Sequence, residues 1–196
     1  FDKLKSTLRV TQKVLIRDEL NKNLIRSNQI IFNKKINVVI SKNKTIIEIG
    51  NSHIIESSNV ILDRNLNTLF SDKQTLITDL TQNNSKISMG DFNFSITKNI
   101  LTANNVKIND NEGNIFDVEK IKYNIKKNEI LGKDLNMSFN NKGLNSKENE
   151  PRLKGNALFY KNDITKINKG VFTTCKRNDS CPPWALHSEK IEHDKI

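Results

Sequence analysis

The sequence repeats itself at a period of about 30 residues, and this repeat limits the folds that the chain can adopt. Four segments each hold an apolar strand, a polar turn and a second apolar strand: IIFNKKINVVISKN from residue 30, VILDRNLNTLFSDK from 60, FNFSITKNILTANN from 92 and IKYNIKKNEILGKD from 121. Their anchor residues are Phe32, Leu62, Phe94 and Tyr123, spaced 30, 32 and 29 residues apart. A weaker fifth copy, FYKNDITKINKGVF, begins at Phe159. One such unit cannot bury its apolar face alone, so the repeat predicts hairpins that stack on one another.

Apolar and polar residues alternate within the repeats, as in Phe92, Phe94 and Ile96. A period of two places every second side chain on one buried face of a strand. The turns are rich in Asn and Asp, which tolerate the positive φ angles of tight hairpins. We therefore predict an all-β fold, an elongated antiparallel β-jellyroll or β-taco built from hairpin repeats, with an open barrel as an alternative. A parallel β-helix is less favoured, because its coils are shorter.

The chain is expected to contain three regions. Residues 1–24 form an N-terminal extension or a first strand, and a strand is favoured because RDELNKNLIRSN resembles the later turns. Residues 25–169 hold the jellyroll repeats, and the polar insertion at residues 140–152 is expected to be a loop. Residues 170–196 form a cysteine-containing strand and loop with a different composition.

The chain is basic, with a formal net charge of +10 from 32 Lys and Arg against 22 Asp and Glu. Such a charge is compatible with nucleic acid, an acidic membrane surface or a phosphorylated ligand as partner. It is equally compatible with a solvated surface in a proteome biased towards Lys and Asn. The Lys residues are spread along the chain and the few aromatic residues occupy inward positions, so we expect no nucleic-acid partner. No stretch approaches 18 consecutive apolar residues, which excludes a transmembrane helix in this sequence.

The cysteines and histidines give no catalytic or metal-binding pattern. Cys175 and Cys181 are not followed by a second pair, and His187 and His193 are poorly spaced for a zinc finger. The two cysteines can form a small-loop disulfide, bond to partners elsewhere, or remain free thiols, and the first two options imply an oxidising compartment. Cys175 with His187 as catalytic base has no supporting motif, and His53 has none either. We expect no enzyme, no metal and no cofactor.

Residues 170–195, GVFTTCKRNDSCPPWALHSEKIEHDK, differ from the repeats. The TTC of residues 173–175, a second cysteine and the PPW of residues 182–184 resemble the end of the periplasmic domain of the outer-membrane lipopolysaccharide-assembly proteins (LptD, or organic solvent tolerance, family). The repeats resemble the OstA-like domain of the same family, and NNVKI at residues 104–108 stands at the place of its return strand. The resemblance covers about residues 25–195. Related bridge proteins of the pathway share the repeat, whereas the TTC and PPW segment points to the outer-membrane family.

The resemblance implies a function. A domain of this family accepts lipopolysaccharide from a periplasmic bridge protein and passes its acyl chains through a hydrophobic groove to an outer-membrane β-barrel that would follow residue 196. It would lie at the periplasmic face of the cell outer membrane and meet an outer-membrane lipoprotein through that barrel. The bridge protein would add a strand at an open N-terminal edge within residues 14–40. Family disulfides join this domain to the barrel, so Cys175 is the natural candidate, and Cys181 can pair with Cys175 or with the barrel.

The apolar face supplies the groove in this interpretation. The residues expected to line it are Phe92, Phe94, Ile96, Val106, Ile108, Phe116, Val118, Tyr123, Met137 and Phe139. The same residues would form an ordinary closed core if the interior were full. Two other functions therefore stay open: a periplasmic bridge protein of the same pathway, and a structural β-solenoid, such as an adhesin-like stalk, that binds no lipid.

Overall fold

The computed structural model describes residues 6–81, 85–110, 113–140, 150–161, 164–176 and 184–194. Every regular element in these residues is a β-strand. The strands are β1 (Thr7–Asp18), β2 (Asn23–Asn33), β3 (Val38–Ile49), β4 (His53–Ser58), β5 (Ile61–Asp63), β6 (Thr68–Ser71), β7 (Thr75–Asp79), β8 (Ser85–Met89), β9 (Phe92–Ser95), β10 (Ile100–Asn109), β11 (Ile115–Asn124), β12 (Glu129–Ser138), β13 (Arg152–Lys161), β14 (Ile164–Thr173) and β15 (Leu186–Asp194).

The chain forms two compact units, unit 1 (residues 1–103) and unit 2 (residues 104–196), and their border lies within β10. In unit 1, strands β1, β2 and β3 pair antiparallel in chain order. The first part of β3 then pairs with β5 and its second part with β4. Two rows of short strands continue from there, β4-β7-β8 and β5-β6-β9, and the start of β10 pairs with β9.

In unit 2, β10 neighbours β11, and β11 to β15 pair antiparallel in chain order. The predicted all-β antiparallel fold is therefore confirmed, and β1 lies within the region expected to be an N-terminal extension or a first strand. Of the expected loop at residues 140–152, residues 141–149 lie outside the described part, and Arg152 already belongs to β13. The expected boundaries of the repeat region, after residues 24 and 169, fall inside β2 and β14.

Five hairpin turns share one geometry that explains the Asn content of the repeats. Each connects its strands through a four-residue loop, at residues 19–22, 34–37, 64–67, 96–99 and 125–128. The last residue of each loop has a φ between 49° and 56°: Lys22, Asn37, Asn67, Asn99 and Asn128. A left-handed residue at this position lets the chain reverse, and Asn adopts it more readily than other non-glycine residues do.

A second polar side chain closes four of these turns from the strand before the loop. The Asp63 carboxylate accepts hydrogen bonds from the backbone N–H groups of Asn65 (2.9 Å) and Leu66 (3.0 Å). Asn33 accepts in the same way from Lys35, at 3.0 Å. Asp18 and Asn124 occupy the equivalent positions. These Asx turns satisfy backbone donors that the strands leave unpaired, so the polar residues of the repeat form its turns.

Unit 1 is held together by two rows of apolar side chains that cross its strands. In the first row each isoleucine lies opposite the next: Ile16, Ile25, Ile47, Ile55, Ile77 and Ile87. The second row is Phe32, Val39, Leu62, Leu69, Phe94 and Leu101. Ile47, Ile55 and Phe94 are fully buried. A single sheet layer leaves both of its faces in contact with water. Burial this complete therefore requires that strands β4, β7 and β8 and strands β5, β6 and β9 cover each other. Full burial of one such side chain is worth about 1.5–3 kcal/mol.

The strands of unit 2 change phase near their centres. Inward side chains are two residues apart within each half of a strand and three apart where the halves meet: Val118 and Ile121, Gly132 and Leu135, Gly155 and Leu158, Ile167 and Gly170. Asp134 and Lys169 have positive φ at this step in β12 and β14. Strict alternation would turn the second half of each strand outward, so the step keeps both apolar halves on one face.

The turn geometry gives a first prediction. Asn67→Ala should lower the free energy of unfolding by about 1 kcal/mol, because Ala is strained at the positive φ of this residue. Asn67→Gly should stay within a few tenths of a kcal/mol of the native protein, because glycine adopts this conformation without strain. Urea unfolding followed by circular dichroism measures both. Equal losses in the two variants would show that the Asn67 side chain matters and its backbone conformation does not.

Candidate functional site

Six of the ten predicted lining residues lie in a closed interior. Phe92, Phe94, Ile96, Val106, Val118 and Tyr123 are each at most 8% exposed. They face inward, as the alternation predicts. Side chains this buried contact other side chains over nearly their whole surface. At these positions the structure shows packed core.

The other four predicted lining residues gather at one end of unit 2 and are only half-buried: Ile108, Phe116, Met137 and Phe139. Phe116 and Met137 are direct cross-strand partners on β11 and β12. Ile108 precedes the turn that leads from β10 into β11, and Phe139 directly follows β12. The structure thus separates the predicted set into a buried group and a partly open group.

The open group belongs to a longer apolar row. Five side chains face one another across β11 to β15: Phe116, Met137, Leu153, Phe172 and Leu186. Leu153 is buried, Phe172 is half-buried and Leu186 is exposed. Leu153, Phe172 and Leu186 are not among the ten residues that the sequence predicts to line the groove. The cross-strand register identifies them, and the three-residue step in β13 and β14 is the sequence signal that would have placed Leu153 and Phe172 inward.

Aromatic rings form the outer part of this row. Phe172 contacts Phe139 edge to face, with 5.9 Å between ring centroids, and Trp184 with 6.0 Å. Trp184 remains 47% exposed. We call the group Phe116, Met137, Phe139, Phe172 and Trp184 the aromatic end of unit 2. An inward-facing cluster of large apolar side chains that keeps contact with water is typical of a binding surface.

Polar contacts hold the aromatic end in place. The Thr173 hydroxyl donates to the Trp184 carbonyl at 2.9 Å and fixes the chain where β15 begins. On the neighbouring turn, Asn114 donates to the Asp110 carboxylate through its backbone N–H (2.8 Å) and its side-chain amide (2.9 Å). The Asn114 side-chain oxygen accepts from the Asn140 backbone N–H at 2.9 Å, beside Phe139. These bonds set the ends of the strands that carry the aromatic residues.

Cys175 and Lys176 follow β14 and lie next to the aromatic end. The Arg152 guanidinium donates to the carbonyls of both residues, which ties them to β13. Cys175 is half-buried and its Sγ lies 3.8 Å from the Trp184 carbonyl. Cys181 lies outside the described residues, so disulfide bonding of these cysteines, with each other or with partners elsewhere, stays a prediction.

The open edge of unit 1 is β1. Strand β1 pairs with β2 alone among the described strands, whereas β2 and β3 are paired on both sides. The expected edge at residues 14–40 therefore overlaps the observed edge only at the end of β1. Leu8 and Val10 face the interior side but are exposed. The apolar face of unit 1 is thus uncovered at this edge, which is a site where another strand could add.

A buried polar pair lies beside the isoleucine row, two residues along the strands from Ile55 and Ile77. His53 on β4 lies opposite Asp79 on β7, with 3.5 Å between His53 Nε2 and Asp79 Oδ2. His53 Nδ1 is 2.8 Å from the Ser52 hydroxyl, and Asp79 Oδ1 accepts from the Thr81 N–H and hydroxyl at 2.8 and 2.6 Å. Burial lowers the pKa of His53, and the Asp79 charge opposes this shift. These contacts join the turn that holds Ser52 to the turn that holds Thr81. His53 is only 3% exposed, so the His53–Asp79 pair is closed to a substrate.

Two further kinds of site were sought in the described part of the chain. No group of three or more His, Cys, Asp or Glu side chains is placed to hold a metal ion among these residues. No helix among them is long and apolar enough to cross a membrane.

No protein-family model matches the chain, and no curated protein matches it either.

The His53 pair gives a prediction about pH. A histidine whose pKa is lowered on folding contributes its full stability above the ordinary value of about 6.5 and loses it as the pH falls. The free energy of unfolding should therefore fall from pH 7.5 to pH 5 more steeply in the native protein than in His53→Gln. His187→Gln removes an exposed histidine and should keep the native slope. Urea titrations at several pH values measure this, and equal slopes for the native protein and His53→Gln would contradict it.

Proposed function

We propose that the chain binds the acyl chains of lipopolysaccharide at the aromatic end of unit 2. The observation that carries the proposal is the apolar row across β11 to β15, which is buried at Leu153 and half-buried at Phe116, Met137 and Phe172. The ring of Phe172 also contacts half-buried Phe139 and exposed Trp184. An acyl chain laid against these residues would be removed from water at about 0.8 kcal/mol per CH₂ group. A few contacting groups on each chain are therefore enough for useful affinity.

The position in a transport pathway is proposed from the sequence resemblance. One described residue of each segment that carries it lies at the aromatic end: Trp184 belongs to that end, and Cys175 lies beside Trp184. We infer a domain at the periplasmic face of the outer membrane that passes lipid towards a following β-barrel and is tied to that barrel through its cysteines. An outer-membrane lipoprotein would then be reached through the barrel. This function requires neither an enzyme activity nor a cofactor.

The lipid would arrive from a periplasmic bridge protein that pairs with β1. No described strand pairs with its outer edge, and exposed Leu8 and Val10 offer apolar surface for an added strand to cover. Both kinds of contact are needed, since main-chain hydrogen bonds give affinity and side-chain pockets give specificity.

A structural β-solenoid is the second candidate, and the packed interior favours it. Phe92, Phe94 and Tyr123 are at most 2% exposed, so these positions offer no open groove. The two candidates differ at the aromatic end, where only lipid binding gives the exposed rings a role.

Photocrosslinking to lipopolysaccharide tests the proposal. A photoreactive residue placed at Met137 or Phe139 should form adducts when lipopolysaccharide is added and the sample is irradiated. The matched control is Leu131, which lies on the outer face of the same strand and is 45% exposed. Equal labelling at Leu131, or no labelling at Met137 and Phe139 in folded protein, would refute lipid binding at the aromatic end and leave the structural candidate.

Substitutions on β1 test the bridge contact. Leu8→Asp with Val10→Asp should reduce binding of the purified bridge protein at least about tenfold, because the added strand would have to bury two charges. Arg9→Asp with Thr11→Asp changes the outer face of the same strand and should have a smaller effect. Binding is measured by biolayer interferometry. Unchanged binding by the Leu8 and Val10 variant would place the contact elsewhere.

A further inference from the structure

Two hairpin turns of unit 1 are locked side by side. They are the turn between β2 and β3 (residues 34–37) and the turn between β5 and β6 (residues 64–67), which we call the turn pair. The Asn37 side-chain amide donates to the Asn65 side-chain oxygen at 2.9 Å, and the Asn65 amide donates to the Ile36 carbonyl at 3.1 Å. The Arg64 backbone N–H donates to the Asn37 carbonyl at 3.2 Å. The two loops therefore present one shared surface.

Each turn of the pair carries a large aliphatic side chain at its tip. Ile36 is 53% exposed and Leu66 is 69% exposed, and both occupy the third position of their loops. The turn geometry requires no aliphatic side chain at either position, because it depends on the Asx residue before the loop and on the left-handed residue at its end. Two exposed aliphatic tips on loops held together form an apolar surface of the kind that marks an interaction site.

Cations surround the two tips. Lys34, Lys35 and Arg64 are exposed on the turn pair, and Lys98 is exposed on the turn between β9 and β10, whose strand β9 pairs with β6. Among the described residues, none of these four cations forms an ion pair. The one carboxylate at the base of the pair, Asp63, is engaged by the backbone of its own turn. The surface is therefore apolar at its tips and positive around them.

The turn between β1 and β2 provides a natural comparison. Leu20 lies in a loop of the same length and is 91% exposed, but it stands between Asp18, Glu19 and a single lysine, Lys22. It lies at the opposite end of β2 from the turn pair. An exposed leucine in a four-residue turn is thus not distinctive in itself. The turn pair differs because its two loops are joined by hydrogen bonds and carry three exposed cations, Lys34, Lys35 and Arg64.

We propose that the turn pair docks on the surface of an anionic phospholipid bilayer. Ile36 and Leu66 enter the boundary between headgroups and acyl chains, while Lys34 and Lys35 contact the phosphates. The Arg64 guanidinium donates to the Asn37 side-chain oxygen at 3.2 Å and lies over the Phe32 ring, so it adds positive charge from a fixed position. The aliphatic tips favour a bilayer over nucleic acid, because a phosphate backbone would leave them in water. This contact is separate from lipid binding at the aromatic end and stands whether or not that proposal holds.

Vesicle sedimentation with the full chain tests the docking. The protein should sediment with vesicles that contain about 30% phosphatidylglycerol in phosphatidylcholine and only weakly with phosphatidylcholine alone, because the cations need anionic headgroups. The partition coefficient should fall about tenfold or more in Ile36→Asn with Leu66→Asn, since both membrane-inserted side chains are lost. Lys34→Glu with Lys35→Glu should cause a similar loss. Leu20→Asn is the matched control and should bind as the native protein does.

The same experiment contains the outcomes that would overturn the proposal. Equal loss in Leu20→Asn and in the turn-pair variant would show general adhesion of exposed leucine. Native binding by the Ile36 and Leu66 variant would exclude insertion by the turn pair, and release by free glycerol phosphate would indicate a phosphate site without a bilayer. Binding to duplex DNA that depends on Lys34 and Lys35, but not on Ile36 and Leu66, would assign the surface to nucleic acid. All these side chains are exposed, and circular dichroism checks that each variant is folded.

Discussion

The structure depends on confining apolar side chains to one face of the antiparallel strands within each unit. In unit 1 this confinement is the row of isoleucines from Ile16 to Ile87, in which each residue lies opposite the next one across the strands. The row is fully buried at Ile47 and Ile55, and burial decreases towards the β1 edge. The β1 edge and the aromatic end both lie where the apolar face of the described strands meets water.

Much of this architecture could be predicted from the sequence. The 30-residue period, the alternation and the Asn-rich turns are local signals, and they led to the antiparallel β-fold and to the inward direction of residues such as Phe94 and Tyr123. Asn37 and Asn67 occupy equivalent places because each four-residue loop needs a left-handed last residue. The residues that form the turns can therefore be recognised in the repeated sequence.

The openness of the interior could not be predicted in the same way. Phe94 and Phe139 look alike in the sequence, yet one is fully buried and the other is half-buried, because exposure depends on which strands lie opposite. The partnership of His53 with Asp79 was missed for the same reason, since the two residues meet only through the register of β4 and β7. The inward direction of Leu153 and Phe172 could be predicted only from the phase change within their strands, which a strict period of two conceals.

The closed centre and the open ends together restrict how a lipid could use this fold. Side chains packed as tightly as Phe92 and Phe94 cannot admit an acyl chain without opening the strands that cover them, and opening them would forfeit the burial that stabilises unit 1. A lipid carrier built on these residues would therefore hold its ligand at the aromatic end and not along the whole apolar face. Phe139, Phe172 and Trp184 suit this role because they already contact one another, so a ligand would cover a formed surface and would not have to create one.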